Sequence, residues 1–165
     1  MDFNILNSLN ISIKIIIFSM FPITELRLSI PYFIIVEDID WITVVSLSIL
    51  GNILIGLMVL YLIAPLMMVL SLNKYFKNII NFILNRTRSR SKIINQFKFL
   101  GIIMFVGIPL PFTGVWTGAL SSYLLSIPRK KSALGLVIGV LISASIVTLL
   151  TMIFEMIPGQ ITNNI

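Results

Sequence analysis

Apolar residues fill this chain in four long stretches, and the polar positions that interrupt them fall at a few places. Ile11–Val36 is apolar at both ends but broken in its middle by Pro22, Glu25, Arg27 and Pro31. Thr43–Leu72 is an uncharged run of 30 residues, long enough to span a bilayer with tilt, and it carries Gly51, Asn52, Gly56 and Pro65. Phe99–Ile127 is broken again, by Pro109, Pro111, Gly114 and Gly118, into arms of 10 residues (Phe99–Ile108) and 13 residues (Val115–Ile127). At ~1.5 Å per residue each arm reaches about half of a ~30 Å hydrocarbon core. Ser132–Ile157 is the last span, with Gly135, Gly139 and Ser143 on one small-residue face suited to close helix packing. Between the halves, Phe76, Ile79, Ile80, Ile83 and Leu84 recur at helical spacing against Lys74, Lys77, Asn81, Asn85 and Arg88. That pattern predicts a surface amphipathic helix running into a basic loop; a simple solvated basic loop is the other reading.

Charge turns these stretches into a topology. Lys74, Lys77, Arg86, Arg88, Arg90, Lys92 and Lys98 precede the second broken stretch, and Arg129, Lys130 and Lys131 follow it. Lys and Arg of short loops collect on the cytoplasmic side, so both ends of Phe99–Ile127 belong on one side. The chain is then expected to enter the membrane and return, as a re-entrant hairpin. A single Pro-kinked span is the competing reading, and it puts Arg129–Lys131 outside. Glu37, Asp38 and Asp40 place the end of the first broken stretch outward, a weaker signal.

The halves also resemble each other. Pro22-Ile23-Thr24-Glu25-Leu26-Arg27 lines up with Pro111-Phe112-Thr113-Gly114-Val115-Trp116, and Gly51 and Gly139 follow at matching distances. The expected fold is an all-α integral membrane protein of two inverted repeats, each a re-entrant helical hairpin followed by a transmembrane helix. Residues 1–72 form the first repeat, 73–98 the amphipathic helix and basic loop, and 99–165 the second repeat, all within one membrane domain. The N-terminus, where Lys14 precedes Ile15-Ile16-Ile17-Phe18, is read as mature chain rather than a signal peptide.

Composition narrows the function. The 165 residues are 58% hydrophobic and 11% charged, with a mean hydropathy of +1.06, which demands a membrane location. The net charge of +6 sits in loops between spans, where topology and anionic lipid account for it and nucleic acid does not. The chain holds neither Cys nor His, so thiol and imidazole chemistry and nearly every transition-metal site are excluded. No enzymatic activity, cofactor or metal is expected.

Glu25 and Arg27 are the charges set in the middle of a broken membrane segment. Such charges cost about 2.5–3.5 kcal/mol on insertion scales and face a cavity or a partner. Glu25 is thereby a candidate proton carrier, and the fork of Arg27 suits a phosphate or carboxylate; an internal structural pair is the alternative. Around Pro111, the second tip offers Thr113, Thr117 and the amides near Gly114 and Gly118, where a helix start would face an anion. Trp116 suits either an apolar substrate or an interface anchor, and Asn52 either a bond to a hairpin tip or helix packing.

These residues together resemble the small multidrug export protein family of prokaryotes. Its first signature is similar to Glu25-Leu26-Arg27-Leu28-Ser29-Ile30-Pro31, where the family usually has Gly-Ala in place of Leu28-Ser29. Gly51-Asn52 also matches. The second signature resembles Ile108–Leu120, with Phe112 where Gly is usual. The family is distantly similar to the DedA superfamily, whose members are linked to lipid-carrier flipping, proton coupling and paired re-entrant loops. The resemblance implies a transporter or lipid-carrier translocase, with protons, membrane lipids and an anionic lipid or small molecule as partners; a non-transporting scaffold and an exporter of cationic drugs are the alternatives. Four short elements make a thin wall around a cavity, so a homodimer is expected.

The two basic clusters yield a direct test. Cys substituted at Ser91 and at Ser132 should react with an impermeant thiol reagent only from the cytoplasmic side. Labelling from opposite sides would establish the kinked span instead.

Overall fold

The computed structural model describes the backbone of residues 3–70, 72, 94–110 and 113–156, and their side chains except at 3–9, 70 and 94–97. The expected amphipathic helix and basic loop lie, up to residue 93, outside the described residues, as do Pro111 and Phe112. Among the described residues six α-helices follow in order: α1 (Phe3–Met20), α2 (Glu25–Pro31), α3 (Trp41–Leu70), α4 (Ile94–Gly107), α5 (Val115–Leu124) and α6 (Arg129–Glu155). A π-helical turn, Tyr32–Val36, extends α2. It starts directly after Pro31, whose ring and missing N–H disturb the α ladder and favour the wider turn. Glu37 N–H closes this turn on Tyr32 O at 3.3 Å.

The breaks fall where the prolines and glycines predicted them. α1 stops before Pro22 and α4 stops before Pro109, while α5 begins immediately after Gly114. Pro65 leaves α3 unbroken, as neighbouring groups in membrane helices often allow. α6 starts three residues before the expected span because Pro128, with ψ 133°, turns the chain and leaves its carbonyl for Ser132 N–H. Ser132 is fully buried, so exposed Lys130 is the better labelling position.

The packing has a regular scheme. α1 lies on α3 and α4 on α6; α2 packs against both α3 and α6, and so does α5; α3 and α6 touch each other. Each broken pair folds back on itself. Lys98 Nζ, in α4, donates to Leu125 O just past α5 at 3.1 Å, which ties the two arms at their base. In the first half, Phe18 stacks on Tyr32 at 5.5 Å and meets Phe33 edge-on at 5.6 Å.

Glycines set how closely the first arms approach. A Cβ on Gly51 of α3 would stand 2.6 Å from Ile16 O of α1, and one on Gly139 of α6 would stand 2.7 Å from Val106 Cβ of α4. The small-residue face of α6 therefore receives α4, with Gly135 against Ile102. Contacts at Gly51 and Gly56 of α3 and at Gly139 and Ile142 of α6 put both breaks near the middle of the long helices.

Polarity is distributed inside out. Ser19, Ser29, Ser48, Asn52, Ser122, Ser132 and Ser143 are buried, whereas Leu50, Leu54, Met58, Leu134, Leu141 and Leu149 are exposed. Small and hydroxylated residues at helix contacts with an apolar exterior are the arrangement that lipid selects. Ser29 and Ser48 bond across α2 and α3 at 2.8 Å. Among the described residues α3 and α6 are long and apolar enough to cross a membrane. This is a membrane protein.

Two glycines of similar helical setting should respond in opposite ways. Gly139→Val should destabilise by about 1–3 kcal/mol through overpacking on Val106. Gly101, whose Cβ would meet nothing within 4 Å, should accept Ala with no loss, since Ala is the better helix former. Thermal unfolding in detergent checks both, and equal responses would refute the close α4–α6 approach.

Candidate functional site

A helix that stops inside apolar surroundings leaves its last carbonyls without partners, at several kcal/mol per unsatisfied group in lipid. At the end of α1 three side chains supply what is missing. Thr24 Oγ1 donates to Phe18 O, Asn52 Nδ2 to Ser19 O at 2.9 Å, and Trp116 Nε1 to Met20 O at 3.0 Å. They come from the first tip, from α3 and from α5, so the break in α1 is held by the tip itself and by both halves.

The second tip is served in the same manner. Thr113 Oγ1 lies 3.0 Å from Ile108 O and 2.8 Å from Leu110 O. The guanidinium of Arg27 grips Leu110 O with Nη1 and Thr113 O with Nη2, and Nη2 also lies 3.0 Å from Thr113 Oγ1. Its planar fork matches two carbonyls held side by side. Arg27 Nε is buried without a partner.

Glu25 completes the junction. Its carboxylate accepts from the backbone N–H groups of Val115 and Trp116, the first two residues of α5. A helix N-terminus offers free amides and a positive dipole end, so the anion expected there is the protein's own carboxylate. Glu25 packs directly on Gly114, in the volume a Cβ would need. Gly114 has φ 149° and Glu25 has φ 39°, so the matched positions of the two tips both have positive φ. For Glu25 that conformation is strained, and the surrounding bonds hold it there. Arg27 Nη2 lies 3.7 Å from Glu25 Oε2, close enough for attraction but beyond a hydrogen bond.

A cavity of about 600 Å³ opens on this junction, lined by Pro22, Ile23, Glu25, Arg27, Leu28, Pro109, Thr113, Trp116 and Thr117. A second, of about 420 Å³, lies toward the end of α6 among Val147, Leu150, Thr151 and Phe154. Arg27 and Pro109 wall both. Within the pair, the side chain of Arg27 is 20% exposed and that of Glu25 only 8%.

The structure thus brings Glu25, Arg27, Thr113, Gly114, Trp116 and Thr117 together, while Pro111 lies outside the described residues. Asn52, on α3, does not line the cavity and bonds instead to Ser19 O at the end of α1. Sequence reasoning did not single out Thr24, Ser19 or the apolar walls Ile23, Leu28 and Pro109. The alignment of Thr24 with Thr113 was the available signal, since a hydroxyl at a helix break is a carbonyl cap. Among the described residues no cluster of carboxylates suited to a metal ion occurs.

The model of the family "Putative small multi-drug export protein" matches residues 25–146 of the chain. No curated protein and no solved structure matches it.

The packing of Glu25 on Gly114 makes the two positions interdependent. Gly114→Ala should destabilise through its positive φ and through collision with the carboxylate. In Glu25→Ala the collision vanishes, so the double variant should be more stable than the sum of single losses by about 0.5–3 kcal/mol. Simple additivity in thermal unfolding would separate the two residues.

Proposed function

The chain belongs to the small multi-drug export protein family, and from that premise we propose that it is a membrane transporter. Its substrate occupies the cavity between the two broken-helix tips, and Glu25 couples transport to protons. The observation that carries this reading is the cavity of about 600 Å³ walled by a buried carboxylate and guanidinium where both helical pairs break. Charges at that depth mark ion and substrate pathways. Protonation of Glu25 would remove the charge that holds the first amides of α5 and attracts Arg27. The clasp between the tips would loosen, and with it the barrier between the two cavities.

In this reading each broken pair is a re-entrant hairpin and the halves form an inverted repeat in the cell membrane. The corresponding packing of α1 on α3 and α4 on α6 supports it, as do the matched positive-φ residues and the matched capping by Arg27 and Trp116. Inverted repeats around a central site are a common basis for alternating access. The working unit in this reading is a homodimer, because the short broken helices make a thin wall around the cavity.

Phosphate-bearing lipid carriers are the preferred substrates over organic cations. Arg27 is the more exposed member of the pair, and the cavity's apolar walls suit a lipid tail. A scaffold role has one observation in its favour: both charges already bind the opposite tip.

Reconstituted vesicles separate the readings. Wild-type protein should move a labelled polyprenyl phosphate with a pH-dependent rate, and Glu25→Gln should lose that dependence. Arg27→Gln should weaken substrate binding by about tenfold, the loss of a charged hydrogen bond, with Arg27→Lys restoring part of it. No flux above protein-free vesicles would leave the scaffold. Flux of a quaternary ammonium dye without response to lipid phosphates would overturn the substrate class.

A further inference from the structure

A separate cavity of about 370 Å³ lies where α5 turns into α6, at the end of the molecule away from Glu37, Asp38 and Asp40. One wall is apolar: Leu60, Ile63 and Ala64 of α3. The other sets the polar and basic Ser122, Tyr123, Ser126 and Arg129 beside Ile127 and Pro128. We propose that this cavity binds the phosphate headgroup of an anionic phospholipid, with Arg129 as its cation and the α3 wall as the seat for the first part of an acyl chain.

Three features independent of the transport site lead to this. First, charge is uncompensated: Lys98, Arg129, Lys130 and Lys131 gather at this end, and every described carboxylate (Glu25, Glu37, Asp38, Asp40 and Glu155) belongs elsewhere in the fold. Arg129 is instead held over the ring of Tyr61, its guanidinium carbon 6.0 Å from the centroid. A cation–π contact uses the face of the guanidinium and leaves its N–H edge for an anion. Second, the N-cap of α6 is Pro128, which makes no side-chain cap bond, so the cap residue itself does not compete with a phosphate oxygen for the first amides of this 27-residue helix. Third, the depth is right. Leu60–Ala64 lies roughly 7–13 Å beyond the middle of α3, close to where a ~30 Å hydrocarbon core gives way to headgroups. An amphiphile with a phosphate and an acyl chain fills both walls at once, and basic pockets between helices at this level hold anionic headgroups.

Native mass spectrometry of the detergent-purified protein, titrated with phosphatidylglycerol, phosphatidylcholine or inorganic phosphate, tests the site directly. Phosphatidylglycerol should bind wild type about tenfold more tightly than Arg129→Gln, as expected for one charged hydrogen-bonding group. Ala64→Phe, which fills the apolar wall and keeps every charge, should cause a comparable loss. Lys130→Gln, beside the cavity but outside its lining, should change binding less than twofold. Phosphatidylcholine should bind weakly to all variants, and millimolar inorganic phosphate should not displace phosphatidylglycerol. Equal losses in Arg129→Gln and Lys130→Gln would reduce the effect to general surface charge and overturn the proposal. Displacement by inorganic phosphate would make it a free-phosphate site. Retained binding in Ala64→Phe would remove the acyl seat.

Discussion

Backbone groups exposed by the two helix breaks are the constraint on which this structure depends. α1 and α4 each stop where the surroundings are apolar, and α5 starts there. In water such ends would be hydrated; in lipid each unpaired carbonyl or amide costs several kcal/mol. The chain answers with Thr24, Asn52 and Trp116 at one break and Thr113 and Arg27 at the other, and it gives the amides of α5 to Glu25. Arg27 and Trp116 each reach from one half to the other half's tip. The breaks, individually costly, become the connection between the halves.

The same bonds explain why ionisable groups sit so deep. A buried ion pair alone is weak evidence of stability, because desolvation can exceed the attraction between its members. Glu25 and Arg27 are 3.7 Å apart, yet each finds its closer partners in backbone dipoles across the junction: amides for the carboxylate, carbonyls for the guanidinium. The pair thereby holds strained backbone at Glu25 and admits Gly114 alone opposite it. The rest of the interior follows a gentler rule. Serines and glycines at helix crossings let backbones approach, and the long apolar side chains turn outward.

A cavity walled by this junction inherits its dependence on charge. Arg27 and Pro109 separate two cavities, so whatever shifts the tips also changes the partition between them. At the other end of α5, Lys98 of α4 bonds to Leu125 O, close in sequence to Ser126 and Arg129 of the basic cavity. A ligand there would bear on the same short helix that carries Trp116 and the amides facing Glu25. The short helix α5 is therefore the element common to both sites.

Much of this was legible before any coordinates. Hydropathy fixed the long helices α3 and α6 within a few residues, because an apolar run of that length has few alternatives. Pro22, Pro109 and Gly114 marked the breaks, since a missing N–H or a required positive φ is a local property. Glu25 and Arg27 stood out because isolated charges in apolar sequence need a reason. The partners of those charges were beyond it. Nothing local in Leu110 or Thr113 announces that its carbonyl faces Arg27, more than 80 positions away. Trp116 looked suited to a substrate or an interface until Met20 O was found beside it. The sequence determined where helices end and which residues are out of place in lipid, both set by neighbours along the chain. Only the tertiary structure decided which carbonyl, amide or void each polar group meets, because those encounters depend on how two distant breaks come together at one depth.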